Sequence, residues 1–347
     1  MSQRKDAGEP RRCAGVYSQV CLGPQEALDP KATESQADGS DTSGFLHLAK
    51  AHYNIHEQEH VVQSEAFTLY HPMRRETPVI FSSPHSGRAY PPCFLAESVL
   101  DDHAIRSSED AFVDELFRSA PDHGAPLLAA NAPRAFIDLN RAADELDASV
   151  VEGVSRSPHN PRVASGLGVI PRVVSGGRAI YRGKIPLHQA EERIRSHWQP
   201  YHAALRRLTE ENHTEFGQAV LIDCHSMPHE AIDSHSRPGF VRPDVVLGDR
   251  FGAAAARDVM DHVEAAFQRA GLRVSRNAPF AGAYIAQTYG RPSRGFHVVQ
   301  VEIDRSLYMD EARIIPSADF TDFQALIAGI IAELTQIGRR KVPLAAE

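Results

Sequence analysis

Apolar residues recur along the chain in short runs that alternate with longer amphipathic segments. Five runs rich in apolar and β-branched residues, typical of buried strands, are PVIFSSPHSG, APLLAA, RAFIDLNR, QAVLIDCHS and FHVVQVEID. Four longer segments with helical spacing are SSEDAFVDELFRSA, HQAEERIRSHWQPYHAALRRLTEENH, FGAAAARDVMDHVEAAFQRAG and TDFQALIAGIIAELTQIG. This alternation predicts an α/β fold in which a mostly parallel or mixed central sheet carries helices on both faces.

The first 60 residues differ from the rest of the chain because they are rich in Ser, Gly, Asp and Pro. Apart from one short amphipathic piece, FLHLAKAHYNI, they lack a periodic apolar pattern. Such a composition cannot bury enough apolar surface to fold. We therefore expect a disordered or poorly ordered extension over residues 1–60, followed by a single α/β domain over residues 66–340.

The composition of the chain limits which classes of protein and which binding partners are compatible with it. The 347 residues are 42% hydrophobic and carry a formal net charge of −8, which disfavours nucleic acid as a partner. Four scattered cysteines do not form a disulfide framework, and the N-terminus lacks the apolar core of a secretory signal. No apolar run is long enough to span a membrane. These features predict a cytoplasmic protein with no membrane partner.

Two histidines follow strand candidates and could bind a metal. His85 comes after VIFSSP and His225 after VLIDC, and the carboxyl ends of parallel strands are where functional groups gather. Each histidine alone is more often a hydrogen-bonded structural residue. A carboxylate from Glu109 or Asp110 would complete a His, carboxylate, His set with an open position for water, as in catalytic zinc sites, although acids at a helix start also serve as caps.

Glu302 lies in the apolar strand FHVVQVEID, where alternation predicts a buried side chain. An unpaired carboxylate there is costly. Two interpretations remain open at this point: Glu302 pairs with an arginine, or it lines a cleft and acts as a base with a raised pKa.

Several arginines could recognise an anionic substrate. Arg134, Asn140 and Arg141 flank the RAFIDLNR run, and a guanidinium beside an amide suits a carboxylate, although a surface ion pair is the commoner arrangement. Further candidates in glycine-rich loops are Arg178, Arg182, Arg291 and Arg294.

Six segments taken together resemble the N-formylglutamate amidohydrolase family. They are SPHSG, DLNR, YRGKIPLHQAEERIRSHWQPYH, IDCHSMP, YGRPSRGFHVVQVEI and RSLYMDE, which lie in this order between about Pro78 and Glu311. The resemblance implies a fold similar to the zinc carboxypeptidase and aspartoacylase class, which is phosphorylase/hydrolase-like, with one catalytic Zn²⁺ or another divalent metal.

The resemblance also implies roles for individual residues. His85, Asp110 and His225 would be the metal ligands, with Asp110 preferred to Glu109, and Glu302 would be the general base. Asn140 and Arg141 would bind the substrate's carboxylate with help from Arg134. The implied reaction converts N-formyl-L-glutamate, a small anionic acylated amino acid, to L-glutamate and formate in histidine breakdown. The alternatives are a zinc amidase or peptidase of broader specificity and a non-catalytic ligand-binding homologue.

Overall fold

The structure is a computed structural model that describes residues 60–155, 160–235 and 242–339. The extension predicted over residues 1–60, including FLHLAKAHYNI, lies outside the described residues except for His60. The single domain expected over residues 66–340 stays a prediction. None of the helices in the described part combines the length and the apolar character needed to cross a membrane.

The described strands form one large sheet and one small one. They are β1 (Val61–Gln63), β2 (Phe67–Tyr70), β3 (Val79–Ser83), β4 (Leu127–Ala130), β5 (Ala219–Met227), β6 (Val245–Gly248), β7 (Val274–Arg276), β8 (Phe296–Asp304), β9 (Met309–Asp310) and β10 (Ile315–Pro316).

The large sheet is mixed and has the order β1-β2-β4-β3-β5-β8-β6-β7. The four central strands β4, β3, β5 and β8 are mutually parallel, whereas β2 and β6 pair with them in antiparallel fashion. Strands β5 and β8 are nine residues long and almost entirely buried, so they form the middle of the sheet. This arrangement confirms the predicted α/β class with a mixed sheet.

The described helices are α1 (Pro92–Glu97), α2 (Val113–Leu116), α3 (Pro161–Ala164), α4 (Leu187–Arg193), α5 (Gln199–Phe216), α6 (Arg257–Arg269), α7 (Tyr284–Tyr289) and α8 (Phe320–Leu334). A π-helical turn, Ile194–Trp198, joins α4 to α5, so the long helix predicted between His188 and His213 is present.

Helices cover both faces of the sheet, as the alternating pattern predicts. On one face α2, α6 and α8 pack against strand residues such as Phe81 and Val301. On the other face α1, α4, α5 and α7 pack against residues such as Ile80 and Leu221. Because side chains alternate along a strand, neighbouring residues of β3 contribute to two separate cores.

The RAFIDLNR run forms turns, so the strand predicted there is wrong. Phe136 and Ile137 donate their backbone N–H groups to the carbonyl oxygen of Pro133, and the Asp138 carboxylate accepts the N–H of Asn140. Aspartate commonly bonds the backbone two residues on in this way. The alternating apolar pattern therefore reflects a compact turn buried against α5 and not a strand.

Two helices are shorter than predicted. The segment from Ser107 to Ala120 contains only the short helix α2, because Glu109 is extended and Phe112 has a left-handed backbone with φ of 65°. The helix predicted from Phe251 begins at Arg257, since the preceding turn includes left-handed residues and donates backbone N–H groups to the Asn277 side chain.

Candidate active site

Three of the predicted site residues lie at one edge of the sheet. His85 follows β3, while His225 and Glu302 lie near the carboxyl ends of β5 and β8. These three strands are neighbours and run parallel, and the register pairs His225 directly with Glu302. Residues paired across parallel strands point to the same side, so the two side chains share one face of the sheet.

The loop after β3 brings Asp110 to this edge. The backbone carbonyl of His85 accepts the Asp110 N–H at 3.0 Å. The loop packs so closely against a neighbouring segment that a Cβ at Gly87 would lie 2.1 Å from the carbonyl oxygen of Ala132. Only glycine fits there, so the final glycine of SPHSG is required by the path of the backbone.

Asp110 lies between the two imidazoles. Its Oδ2 atom is 2.9 Å from Nδ1 of His225 and 3.4 Å from Nδ1 of His85. Although burial opposes ionisation, the neighbouring His225 and His85 hold the pKa of Asp110 well below its usual range. Its Oδ1 atom accepts a hydrogen bond from Arg305 at 3.0 Å. Asp110 is therefore an ionised carboxylate shared by three cationic or dipolar partners.

Glu109 points elsewhere and is not part of this cluster. Its Oε1 atom accepts hydrogen bonds from the Tyr90 hydroxyl at 2.7 Å and from Arg106 at 3.0 Å. Its Oε2 atom accepts a second bond from Arg106 at 3.1 Å. In this geometry the Glu109 carboxylate therefore lies outside the group formed by His85, Asp110 and His225.

His85 is held by a second carboxylate on its other side. Its Nε2 atom lies 2.7 Å from Asp138 Oδ1, and the carboxylate of Asp138 is also bound by Arg134 at 3.1 Å. Burial disfavours its charge, but Arg134, His85 and Arg141 hold the pKa of Asp138 well below the usual range. An ionised Asp138 can only accept, so Nε2 of His85 carries the proton.

His225 has an equivalent arrangement. Its Nε2 atom lies 3.0 Å from Oδ2 of Asp223, which is fully buried two residues earlier on the same strand face. Burial alone would lower the pKa of His225, but Asp223 and Asp110 raise it well above its ordinary value. The imidazole is therefore protonated in this arrangement unless a cation displaces the proton.

These three residues fit a divalent metal ion. Nδ1 of His85 is buried and has no hydrogen-bond partner among the described residues, and ligand atoms of His85, Asp110 and His225 lie within 4.8 Å of one another. Ligands of a tetrahedral zinc ion lie roughly 3.3 Å apart, close to the contacts of 2.9 and 3.4 Å described above. Histidines that bind metals commonly donate their other ring nitrogen to a carboxylate, as Asp138 and Asp223 allow.

Glu302 is buried without an ion-pair partner among the residues that the structure describes. Its only direct hydrogen bond there comes from the Gln300 amide at 2.7 Å. Burial, together with the negative charges of Asp110 and Asp223, raises the pKa of Glu302 to about 7, although His225 and Arg134 oppose this. The sequence leaves two interpretations of Glu302 open, a structural ion pair and a carboxylate that lines a cleft. These contacts favour the second.

A cavity of about 550 Å³ lies over this edge. His85, His225 and Glu302 reach its surface, and four arginines line its walls: Arg134, Arg141, Arg162 and Arg305. Asn140 also lines the cavity, but its Oδ1 atom accepts the backbone N–H of Ile285 at 2.8 Å, and its Nδ2 atom lies 3.4 Å from Asp223. Both polar atoms of the Asn140 side chain thus already have partners in the protein. Asn140 therefore supports the structure of the site and has little capacity left to donate to a substrate.

The remaining predicted arginines do not line this cavity. Arg178 is exposed and donates to the carbonyl oxygens of Ser175 and Ala104, and Arg182 is exposed nearby. Arg291 and Arg294 precede β8, so they lie at its amino end, at the sheet edge opposite Glu302. The length of β8 therefore separates these two arginines from the histidines and Glu302.

Several residues of the site escape sequence reasoning. They are Asp138, Arg162, Asp223, Gln300 and Arg305. Asp223 lies two positions before His225 in a strand, and Gln300 has the same relation to Glu302, so the two-residue period could have found both. Arg162 and Arg305 lack such a local signal because tertiary contacts alone bring them to the cavity.

Comparison with known proteins identifies the family. Residues 77–309 match the model of the N-formylglutamate amidohydrolase family. The chain is 31% identical over 268 residues to N-formylglutamate deformylase of Pseudomonas aeruginosa, covering 76% of this chain and 93% of that protein. It is 28% identical to the Pseudomonas putida N-formylglutamate deformylase, covering 67% and 82%.

A solved structure agrees with these matches. The crystal structure of N-formylglutamate amidohydrolase from Ralstonia eutropha JMP134 superposes with a TM-score of 0.74 at 33% identity, covering 79% of this chain and all of that one. The matched region contains every residue of the His85, Asp110 and His225 cluster, together with Glu302. The chain therefore belongs to the N-formylglutamate amidohydrolase family.

Proposed function

We propose that this protein hydrolyses the amide bond of N-formyl-L-glutamate to L-glutamate and formate, using a divalent metal such as Zn²⁺. The observation that carries the proposal is the buried His85, Asp110 and His225 cluster, which opens into a cavity together with the unpaired carboxylate of Glu302. The substrate follows from the names of the relatives and from the arginine-rich walls of that cavity.

His85, Asp110 and His225 would hold the metal. When bound there, a divalent cation supplies Lewis-acid chemistry by polarising a carbonyl group and lowering the pKa of water. Asp138 and Asp223 fix the orientation of the two imidazoles by accepting from their Nε2–H groups. Arg305 fixes Asp110, since it donates both to Asp110 and to the Ser226 hydroxyl.

Glu302 would move the proton. Its carboxylate accepts a proton from the attacking water as the water oxygen bonds to the formyl carbon. The same group then delivers that proton to the amide nitrogen as the C–N bond breaks, which leaves formate and the free amine of glutamate. In the protein without metal the pKa of Glu302 is about 7, in the range that suits a general base and acid near neutral pH.

Arg134 would assist at the carbonyl oxygen. Its Nε donates to Asp138, while its side chain remains 25% exposed at the cavity. The rest of the guanidinium can therefore donate to an oxygen that gains negative charge in the transition state.

The test measures release of L-glutamate from N-formyl-L-glutamate by protein dialysed against a chelator and then supplied with Zn²⁺. We expect turnover only after metal is restored, and weaker turnover of N-acetyl-L-glutamate. Glu302→Gln should keep its bound metal and fold but lose on the order of 10²- to 10⁴-fold in kcat.

The matched control is Glu152→Gln, which removes an exposed carboxylate outside the cavity and should leave kcat unchanged. Full turnover by Glu302→Gln would exclude Glu302 as the base. Failure of the metal-loaded protein to release glutamate would overturn the proposed reaction.

A further inference from the structure

We infer that Arg162 binds the side-chain carboxylate of the substrate, whereas Arg141 binds its α-carboxylate, so that Arg162 determines specificity for an acidic side chain. This inference rests on the proposed function, because it concerns the substrate of that reaction. No comparison assigns a role to Arg162, and its sequence neighbourhood carries no signal for one.

The charges in the cavity set Arg141 and Arg162 apart from the other two arginines. Arg134 forms an ion pair with Asp138 at 3.1 Å, and Arg305 forms one with Asp110 at 3.0 Å. Among the residues that the structure describes, neither Arg141 nor Arg162 has a carboxylate partner. Two guanidinium groups that form no ion pair with a described residue thus line a cavity whose proposed substrate carries two carboxylates.

Arg141 is fixed but keeps donors free. It is 6% exposed, and it donates from Nε to the carbonyl oxygen of Leu167 at 2.8 Å and from Nη1 to that of Asn140 at 2.7 Å. Its Nη2 group has no protein acceptor within the described part of the chain. A guanidinium held by neutral carbonyls keeps its full charge and one planar edge for a carboxylate.

Leu167 connects the two arginines. Its carbonyl accepts from Arg141, and its backbone N–H donates to the backbone carbonyl of Arg162 at 2.8 Å. Burial lowers the pKa of Arg141, and the like charges of Arg134 and Arg162 add to this effect, while the carboxylates of Asp138 and Glu145 oppose it. Arg141 and Arg162 are therefore close enough to interact, and both line the cavity.

The two carboxylates of the substrate are assigned to the two arginines by how deep each arginine lies in the cavity. Arg141 adjoins Asn140, whose amide nitrogen lies 3.2 Å from Nε2 of His225, so it is near the reacting centre. The α-carboxylate is attached next to the scissile amide and must lie close to that centre. Arg162 is exposed on α3, farther toward solvent, where the longer side chain of a glutamyl group would end.

The local structure holds Arg162 in place without using its side chain. Asn160 caps α3 by accepting the backbone N–H groups of Arg162 and Val163. Arg172 donates to the carbonyl oxygen of Ala164 and forms an ion pair with Asp147 at 2.9 Å, which ties the segment to the domain. The guanidinium of Arg162 forms no hydrogen bond or ion pair with any residue described, so it remains available to a ligand.

The experiment compares N-formyl-L-glutamate with N-formyl-L-glutamine, which has the same shape but a neutral side chain. Arg162→Gln should lower kcat/KM for the glutamate substrate by about 10- to 100-fold, mainly through KM, as expected for one charge-assisted contact. The same variant should change the glutamine substrate little. Arg141→Gln should lower kcat/KM for both, because both carry the α-carboxylate.

The control is Arg257→Gln at the start of α6, whose side chain is 92% exposed and lies outside the cavity. It should leave both substrates unaffected. A second readout, independent of turnover, is calorimetric titration of L-glutamate and L-glutamine into the Zn²⁺-loaded protein. Arg162→Gln should weaken binding of L-glutamate and leave that of L-glutamine unchanged.

The inference is overturned if Arg162→Gln affects the two substrates equally or affects neither. Those results differ from failure of the proposed function, in which the unmodified metal-loaded protein hydrolyses no N-formyl amino acid. In that case the calorimetric comparison still decides whether Arg162 selects an acidic side chain.

Discussion

At the scale of single residues, the site is defined by buried polar atoms and by the partners each of them has. Nδ1 of His85 has none, while Nε2 of the same ring is bound by Asp138. Glu302 has a neutral amide partner instead of a cation. Unpaired buried groups of this kind lower the stability of the fold, so a functional explanation is stronger than a structural one.

Glu302 yields a prediction about stability and pH. Its pKa is about 7 in the folded protein and near 4.5 in an unfolded chain. As pH rises from 4.5 to 7, the unfolded chain releases the proton while the folded protein retains it, so stability is lost over this interval. In metal-free protein, Glu302→Gln should therefore be more stable than the unmodified protein at pH 8, by on the order of 2 kcal/mol.

Urea denaturation at pH 5 and pH 8 measures this difference, which should shrink at the lower pH. Saturating Zn²⁺ is the control, since a nearby cation favours the charged carboxylate and should reduce the gain at pH 8. A less stable Glu302→Gln protein at pH 8 would show that the carboxylate supports the fold through an ion pair.

At the scale of elements, the long helix on one face of the sheet holds the turn that carries Asp138, Asn140 and Arg141. Trp198, the last residue of the π-helical turn, donates from Nε1 to the carbonyl oxygen of Arg141 at 2.9 Å. His202, one helical turn later, bonds from Nε2 to the carbonyl oxygen of Leu139 at 2.9 Å. The two rings pack together with centroids 4.1 Å apart. These contacts replace the strand pairing that the sequence pattern suggests for RAFIDLNR.

This arrangement predicts that Trp198→Phe weakens catalysis more than its loss of stability explains. The substitution keeps an aromatic ring but removes the donor to Arg141, so the position of that guanidinium is less defined. We expect kcat/KM for N-formyl-L-glutamate to fall by about 10-fold, with a loss of stability of about 1 kcal/mol. Leu208→Val, a buried change on the same helix, should cost similar stability without affecting kcat/KM. If Trp198→Phe and Leu208→Val have the same kcat/KM, Trp198 contributes only through packing.

At the scale of the whole molecule, the cluster joins parts of the chain that are far apart in sequence. His85 follows β3, Asp110 precedes α2, and His225 lies in β5. An ion held by all three binds the folded protein and not the unfolded chain. Such a ligand stabilises the fold by about 2.7 kcal/mol at 100 times its Kd.

Zn²⁺ should therefore raise the Tm of the unmodified protein by several degrees. Asp110→Asn should abolish this rise, because it removes the central carboxylate of the cluster. Glu109→Gln, a change at the adjacent residue whose carboxylate faces Tyr90 and Arg106, should preserve it. Thermal denaturation with and without Zn²⁺ measures the shift. If instead Glu109→Gln abolishes the rise in Tm and Asp110→Asn preserves it, the ligand is Glu109.

The hydrophobic pattern predicts much of the fold because buried elements leave a periodic signal. β3, β4, β5 and β8 and the helices α4, α5, α6 and α8 coincide with predicted segments. The strands β1 and β7 carry weaker signals, since each has three residues and none of them is buried. The strands β2 and β6 are not among the predicted segments, although they have four residues as β4 does. The RAFIDLNR run shows the converse, a strand-like pattern that belongs to a turn.

The sequence by itself determined the α/β class, the positions of His85 and His225 at or near the carboxyl ends of strands, and the unusual burial of Glu302. These features are local, since they depend on spacing within a few residues of a strand. Only the tertiary structure separates Glu109 from Asp110, because a break in the helical backbone turns one toward Arg106 and the other toward the histidines. It likewise places Arg162 in the wall of the cavity and Arg291 at the opposite edge of the sheet. The physical reason is that guanidinium groups on loops are positioned by long-range packing and strand direction, and neither leaves a periodic trace in the sequence.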